Sequence, residues 1–413
     1  LIIDSKGLIK AAGKNVANGN LPSSTEKIDL NKQVLIPGLV DMRVFVGEPG
    51  YEYKENFRTL SNAALSGGVT SVVSMPNTSP TIDNVSMVDF LKRRGRDKSK
   101  INIFPAAALT KNTEGKQMTE FGLLKRKGII AFTDGIKTVQ DPQVMARIMN
   151  FASQSQSLIM QHAEDNILSK DGLINEGEIS TRLGLKGIPF LAEKIIVERD
   201  LSFLEEYFCR YHISQISSEK TVSVIKKAKK EGKIFTAGVS INNLSLNEND
   251  IGDFKTFLKL SPPLRNEDDR LSIAEAITEG IIDVITSNHF PRSNDTKLLP
   301  FSSASVGACG LETLLPLTLS LVKQGLIDLM TALSMLTIKP AKLLNLEIPD
   351  IQKDSVASFI IVDPEKSEII NENNLLTSPT PFHGRVLEGF NLATFLNGKI
   401  VYESNEFESL KNG

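Results

Sequence analysis

Apolar residues in this chain recur as eight short runs, and each run is followed by a stretch with helix signals. The runs are GLVDMRVFV (38–46), GVTSVVSM (68–75), INIFPAAAL (101–109), GIIAFT (128–133), SLIMQH (157–162), YHISQIS (211–217), KIFTAGVS (233–240) and IDVITS (282–287). Most are rich in Val and Ile and nearly continuous in apolar character, the pattern of strands buried on both faces. Between them, Asn84 precedes VSMVDFLKRR, and Asp141 precedes Pro142, a cap residue followed by a proline suited to the first helical position. Ser217 and Ser218 precede EKTVSVIKKAKKEG, in which Val222, Ile225 and Ala228 share one face and Gly232 is placed to stop the helix. GLETLLPLTLSLV (310–322) is apolar enough to pack tightly, with Pro316 expected to bend it. Strand–helix alternation repeated eight times predicts an α/β fold, a (β/α)8 TIM-like barrel over residues 38–345. A doubly wound open sheet is the alternative, but the glycine fingerprint of a dinucleotide site is absent.

The flanks read differently. Residues 1–37 hold short β-like pieces (LIIDSKGLIKAAG) broken by Gly, Asn and Pro, and residues 346–413 include SVASFIIVDP and NLATFLNGKIVYES with turn signals at Asp363-Pro364 and Asn397-Gly398. Neither end is long enough to build a core alone. The two are expected to combine into one small β domain. The longest stretch between strands runs from about Ala163 to Arg210; its later part reads as a helix and its earlier part is placed to cover the barrel mouth.

Composition narrows the function. A net charge of −2 gives no electrostatic case for nucleic acid or an anionic membrane, and the basic run LKRRGRDKSK (91–100) reads as a solvated helix end. No apolar run reaches the ~18 residues needed to span a bilayer. Cys209 and Cys309 are expected as buried free thiols of a cytoplasmic protein, with one disulfide as the alternative. The chain opens at Leu1 rather than Met and shows no signal peptide, so a preceding segment is to be expected.

Barrels of this kind carry their sites at the C-terminal strand ends. Those ends hold Arg43 and Phe45, Asn77, Asp134, His162, Gln215, Asn242 and Asn243, and Asn288 and His289. Spacing alone leaves two readings of this polar rim: a small-molecule site, or strand ends entering loops. PGLVDMRVFVGEPG (37–50), MPNT (75–78), AFTDG (131–135), QHAED (161–165), NEGEISTRLGLKGIP (175–189), FLKLSPPLR (257–265), DVITSNHFPR (283–292), GLETLLPL (310–317) and TPFHGR (380–385) together resemble the type I dihydroorotases of the amidohydrolase superfamily. The likeness runs through nearly the whole chain in order. It implies a (β/α)8 barrel with a composite β domain. It also implies a zinc centre built from a strand-one His-x-His pair, histidines on strands five and six, and a strand-eight aspartate that shuttles the proton, with a strand-four carboxylate or carboxylated lysine as a further ligand.

This sequence departs from that pattern. Arg43 and Phe45 replace the His-x-His pair, Gln215 stands at the strand-six histidine and Asn288 at the catalytic aspartate; His162 and Asp134 match the strand-five and strand-four ligands. A guanidinium or a phenyl ring offers a metal no lone pair, and an amide oxygen holds zinc poorly. Catalytic zinc wants about three protein ligands and an open position. Zinc lowers the pKa of bound water from about 15.7 to about 7. The resemblance therefore implies no catalytic residues and no cofactor, with Arg43 expected to pair with Asp134 in the emptied metal cavity. Gly47 and Ser261 stand where the family has a substrate arginine and asparagine, and Phe290-Pro291-Arg292 where it has A-P-H; Asn77, Arg43 and His289 remain candidates for ligand binding. His212 and His383 are read as structural and exposed, respectively, and Glu164 and Asp165 as caps.

What the resemblance then implies is a catalytically inactive structural partner of aspartate carbamoyltransferase in pyrimidine biosynthesis, assembled as a homo- or hetero-oligomer. Two readings stay open beside it: an amidohydrolase with an atypical zinc site resting on His162 and Asp134, and a module that binds carbamoyl aspartate-like anions.

Overall fold

The computed structural model describes residues 1–413 apart from 15, 17–20, 23, 24, 31, 348, 349, 372, 378 and 413. Each of the eight apolar runs forms a strand: β1 (Leu39–Val44), β2 (Val69–Ser74), β3 (Asn102–Ala107), β4 (Ala131–Phe132), β5 (Leu158–Gln161), β6 (Arg210–Ile213), β7 (Thr236–Ser240) and β8 (Val284–Thr286). They pair in parallel in sequence order from β1 to β8. A parallel bridge between Val44 and His289 joins the two ends, where the Phe45 N–H donates to the His289 carbonyl at 2.9 Å. Val40, Met42, Val73, Ala106, Ala131, Leu158, Met160 and Val284 fill the barrel interior, and a larger apolar shell lies between strands and helices.

The helices start and stop for local reasons. Asn84 caps Val85–Lys98 through Met87 N, and Asp141 caps Pro142–Ser155 through Gln143 N and Val144 N. Ser218 caps Glu219–Lys230, whose buried face includes Val222, Ile225 and Ala228. Pro316 does not bend its helix. That helix begins at Leu314, so the proline sits in the first turn, where its missing N–H has no partner to lose.

The flanks meet in one antiparallel sheet, in which Val34–Pro37 pairs with Phe359–Ile369, which pairs with Val386–Leu396, and that in turn with Lys399–Glu403. Ile9, Phe359, Leu392, Phe395 and Phe407 form its core. The stretch after β5 contains a short parallel pair (Ile174–Asn175 with Gly187–Ile188) and the helix Leu191–Phe203. Among the described residues no helix is long and apolar enough to cross a membrane.

Candidate functional site

The polar strand ends gather at one end of the barrel. Strand β1 does not alternate simply. Val40 and Met42 point inward, and the pairing with β2 shifts register between Asp41 and Val44. That irregularity re-aims Arg43 and brings Phe45 back to the interior, as bulges near sites do. Asp41 fixes the bend by accepting from the Arg43 N–H at 3.0 Å and the Ser287 N–H at 3.1 Å, which ties β1 to the end of β8.

Arg43 is buried and donates through Nε to Asn288 Oδ1 (3.3 Å) and through Nη1 to the Gly135 carbonyl (3.2 Å), while its Nη2 has no partner. Burial pulls its pKa down to about 9, opposed by the charge of Asp41. The expected Arg43–Asp134 pair does not form. Asp134 turns to the loop that follows β3, accepting from the Thr110 N–H (3.0 Å) and hydroxyl (2.6 Å). Burial raises its pKa to about 6, against those same hydrogen bonds.

Four groups stack at the β1–β8 corner. The Arg43 guanidinium lies 5.2 Å from the Phe45 ring, Phe45 stacks on Phe290 at 4.1 Å, and the Arg292 guanidinium sits 3.7 Å over Phe290. Cation–π and ring stacking here occupy the strand-one positions with carbon and guanidinium.

His162 ends β5. Its Nε2 lies 3.2 Å from Ser261 Oγ and 4.0 Å from Glu164 Oε2, and its Nδ1 has no partner. Burial lowers its pKa to about 3, helped by the charge of Arg43, so the ring is neutral. Asn288 adopts a left-handed φ of 51° that asparagine tolerates, and its amide bridges Arg43 and the Ser261 carbonyl. Asn77 donates to the Asp134 carbonyl at 3.0 Å and leaves Oδ1 unpartnered. Gln215 is buried with both amide atoms unpartnered, and Asn242 Oδ1 is likewise alone. Asn243 is committed to the Pro263 carbonyl.

His289 is not turned to a ligand. Its Nε2 contacts both oxygens of buried Glu55 at 3.0 Å and its Nδ1 accepts from the Gly310 N–H at 3.2 Å, so the ring pins β8 to the loop after β1. Neither Glu55 nor Thr110 carried a signal in the sequence, because each sits in a loop far from its partner. His212 bonds Thr236 at the start of β7, below the mouth, and His383 is exposed. At Gly47 a Cβ would lie 2.1 Å from the Tyr51 carbonyl, so no side chain fits there. Asp165 caps the turn that follows it through Ile167 N and Leu168 N. Cys209 and Cys309 are free and buried. Among the described residues no three His, Cys, Asp or Glu side chains come together as a metal-binding group.

The architecture is shared with solved hydantoinase and dihydropyrimidinase structures. It superposes on "L-Hydantoinase (Dihydropyrimidinase) from Arthrobacter aurescens" with a TM-score of 0.85 at 21% identity, covering 96% of this chain and 91% of that one. A dihydropyrimidinase from Brevibacillus agri gives 0.82 at 20% identity, covering 97% and 90%. At such identities the likeness speaks for the fold alone. Sequence goes further: residues 32–221 match the family model "Dihydro-orotase-like". The chain is 39% identical to the dihydroorotase of Syntrophus aciditrophicus over 398 residues, 96% of this chain and 93% of that protein. It is also 39% identical to the dihydroorotase of Ehrlichia canis, over 94% of this chain and 88% of that one. The chain belongs to the dihydroorotase family.

Proposed function

We propose that this chain is a non-catalytic member of the dihydroorotase family that serves pyrimidine biosynthesis as a structural partner of aspartate carbamoyltransferase. The observation that carries this reading is the corner of β1 and β8. Arg43 and Phe45 stack with Phe290 and Arg292, and Arg43 also bonds Asn288. The remaining family-type donors are divided: His162 faces Ser261 and Asp134 is bound to Thr110. One imidazole and one carboxylate are too few for a catalytic zinc, which takes about three protein ligands and an open position. Asn288 cannot take a proton as the family's aspartate does, and loss of a general base alone costs about 10²–10⁴-fold. The intact scaffold beside the altered site supports a role in assembly.

The test mixes the full chain with the aspartate carbamoyltransferase of its own organism. Co-elution, with increased thermal stability or activity of that enzyme, is expected; separate elution with the enzyme unchanged overturns the partnership. A second reading is favoured by the unpartnered buried atoms of Arg43, Asn77, His162 and Gln215, which suit a small ligand bearing both donors and acceptors. Calorimetry with carbamoyl aspartate and with dihydroorotate decides it, and absence of heat with both removes it.

A further inference from the structure

The end of the barrel opposite the mouth carries a cavity of about 730 Å³ between the starts of β6 and β7. Its walls are Leu204, Tyr211, Phe235 and Leu343, and Phe208 and Ile234 stand at its rim, 80% and 88% exposed. The Cys209 thiol also faces it; burial pushes its pKa up to about 12, so it is a neutral part of the wall. Small-molecule sites have this size and this lining, mostly apolar with a few polar groups that fix orientation.

One cation interrupts the apolar wall. Arg210 opens β6, lines the cavity and is half-buried. Its Nη2 donates to the Leu343 carbonyl, and its Nη1 lies 3.1 Å from the Asn345 amide oxygen with that amide oriented to accept. Both acceptors are neutral. Among the described residues no carboxylate pairs with Arg210, and no acid offsets the burial that lowers its pKa. The acids of the rim are held elsewhere: Lys233 bridges Glu205 at 2.6 Å and lies 3.9 Å from Glu231. A guanidinium carries more N–H groups than two bonds use, in a planar fork that matches a carboxylate. A cation set in apolar walls without a counter-charge is complementary to a ligand that brings an anionic head and an apolar tail together.

We propose that this cavity binds a free medium-chain fatty acid, with its carboxylate on Arg210 and its tail among Leu204, Phe235 and Leu343. Strands β6 and β7 start here and lead to Gln215 and Asn242, so the site lies at the far end of the same strands from the mouth and uses no group of the altered centre.

Calorimetry of the full chain with octanoate tests it. Saturable binding with a Kd below about 1 mM is expected, with the negative heat-capacity change of apolar burial. Octanol, which keeps the tail without the charge, and acetate, which keeps the charge without the tail, should each bind at least about tenfold more weakly. Arg210→Gln should weaken octanoate at least about tenfold and leave octanol unchanged, whereas Arg210→Lys, which keeps the charge, should recover part of the loss. Phe208→Asp, at an exposed position where the wild-type circular dichroism should be kept, should also weaken octanoate, and Ile167→Asp, at an 83% exposed position elsewhere, should not. Carbamoyl aspartate has no apolar tail and should not compete, which separates this site from any ligand at the mouth. No heat with octanoate up to about 1 mM, octanol binding as tightly as octanoate, or octanoate binding that survives both Arg210→Gln and Phe208→Asp overturns the proposal.

Discussion

Two buried arginines show how differently this fold treats a cation. Arg265 donates to Ser217 Oγ (3.1 Å), Asn175 Oδ1 (2.7 Å) and the Ile188 carbonyl (2.7 Å), and the charges of Glu193, Asp269, Glu164 and Glu248 offset the burial that lowers its pKa. Glu193 in turn accepts from Ser217 N and Oγ and from Ser218 N. Arg43 has Asp41 as its one opposing charge in the pKa balance, neutral hydrogen-bond partners and one bare nitrogen. Arg265 is a strut: it fastens the long excursion after β5 to the β6 end and is compensated like any structural buried ion. Arg43 stands at a strand end whose other groups are also short of partners. A fold that can satisfy one arginine and leaves the other half-satisfied leaves part of its unmet polar demand at the mouth, on Arg43, Asn77, His162, Gln215 and Asn242.

The contrast has a direct energetic test. Arg265→Met should destabilise the protein by about 3–5 kcal/mol in urea unfolding, because it strands Glu193 and its acidic neighbours in the interior. Arg43→Met orphans no ion pair and should cost far less, within about 1 kcal/mol of neutral. Equal losses would erase the distinction. Next in size is Asp134. Its raised pKa means that the folded state resists ionisation, a penalty absent below the ordinary value of 3.8, growing up to about 6 and constant above. Asp134→Asn should therefore gain up to about 3 kcal/mol at neutral pH relative to acid, less whatever the altered bonds to Thr110 take back.

His162 works in the opposite sense. With its folded pKa lowered to about 3, the stability that it confers is complete above 6.5 and drains away as pH falls. His162→Gln should shrink the stability difference between about pH 7.5 and about pH 5 by about 2 kcal/mol. An unchanged difference would mean that the imidazole is hydrated and not buried. The smallest effect links the two sides of the mouth. Arg43 contributes to the lowered pKa of His162, so in Arg43→Met the ring should titrate at higher pH by NMR, while burial, the larger cause, still holds it below the ordinary value.

Much of this was legible in the chain. All eight strands follow from runs of apolar residues, since strands buried on both faces leave no other pattern, and the caps at Asn84, Asp141 and Ser218 follow from side chains that accept from the first free N–H groups. The composite sheet was visible as two β-rich ends too short to fold separately. Pair geometry was not. Arg43 and Asp134 share a mouth, and opposite charge suggested a pair, but Thr110, in the loop after β3, wins the Asp134 carboxylate with two hydrogen bonds. His289 looked available until the Glu55 loop, 234 residues away in sequence, closed over it. The register shift in β1 is equally hidden, because Asp41 secures it through the backbone of Ser287 on β8.

The central claim, that the site has lost its hydrolytic chemistry, is tested most directly by assaying the purified full chain for dihydroorotate ring opening and carbamoyl aspartate cyclisation, with and without added zinc, alongside elemental analysis. Buffer-rate conversion in both directions and substoichiometric metal are the expected result. Saturable turnover that rises with zinc and falls in His162→Gln and Asp134→Asn would contradict it.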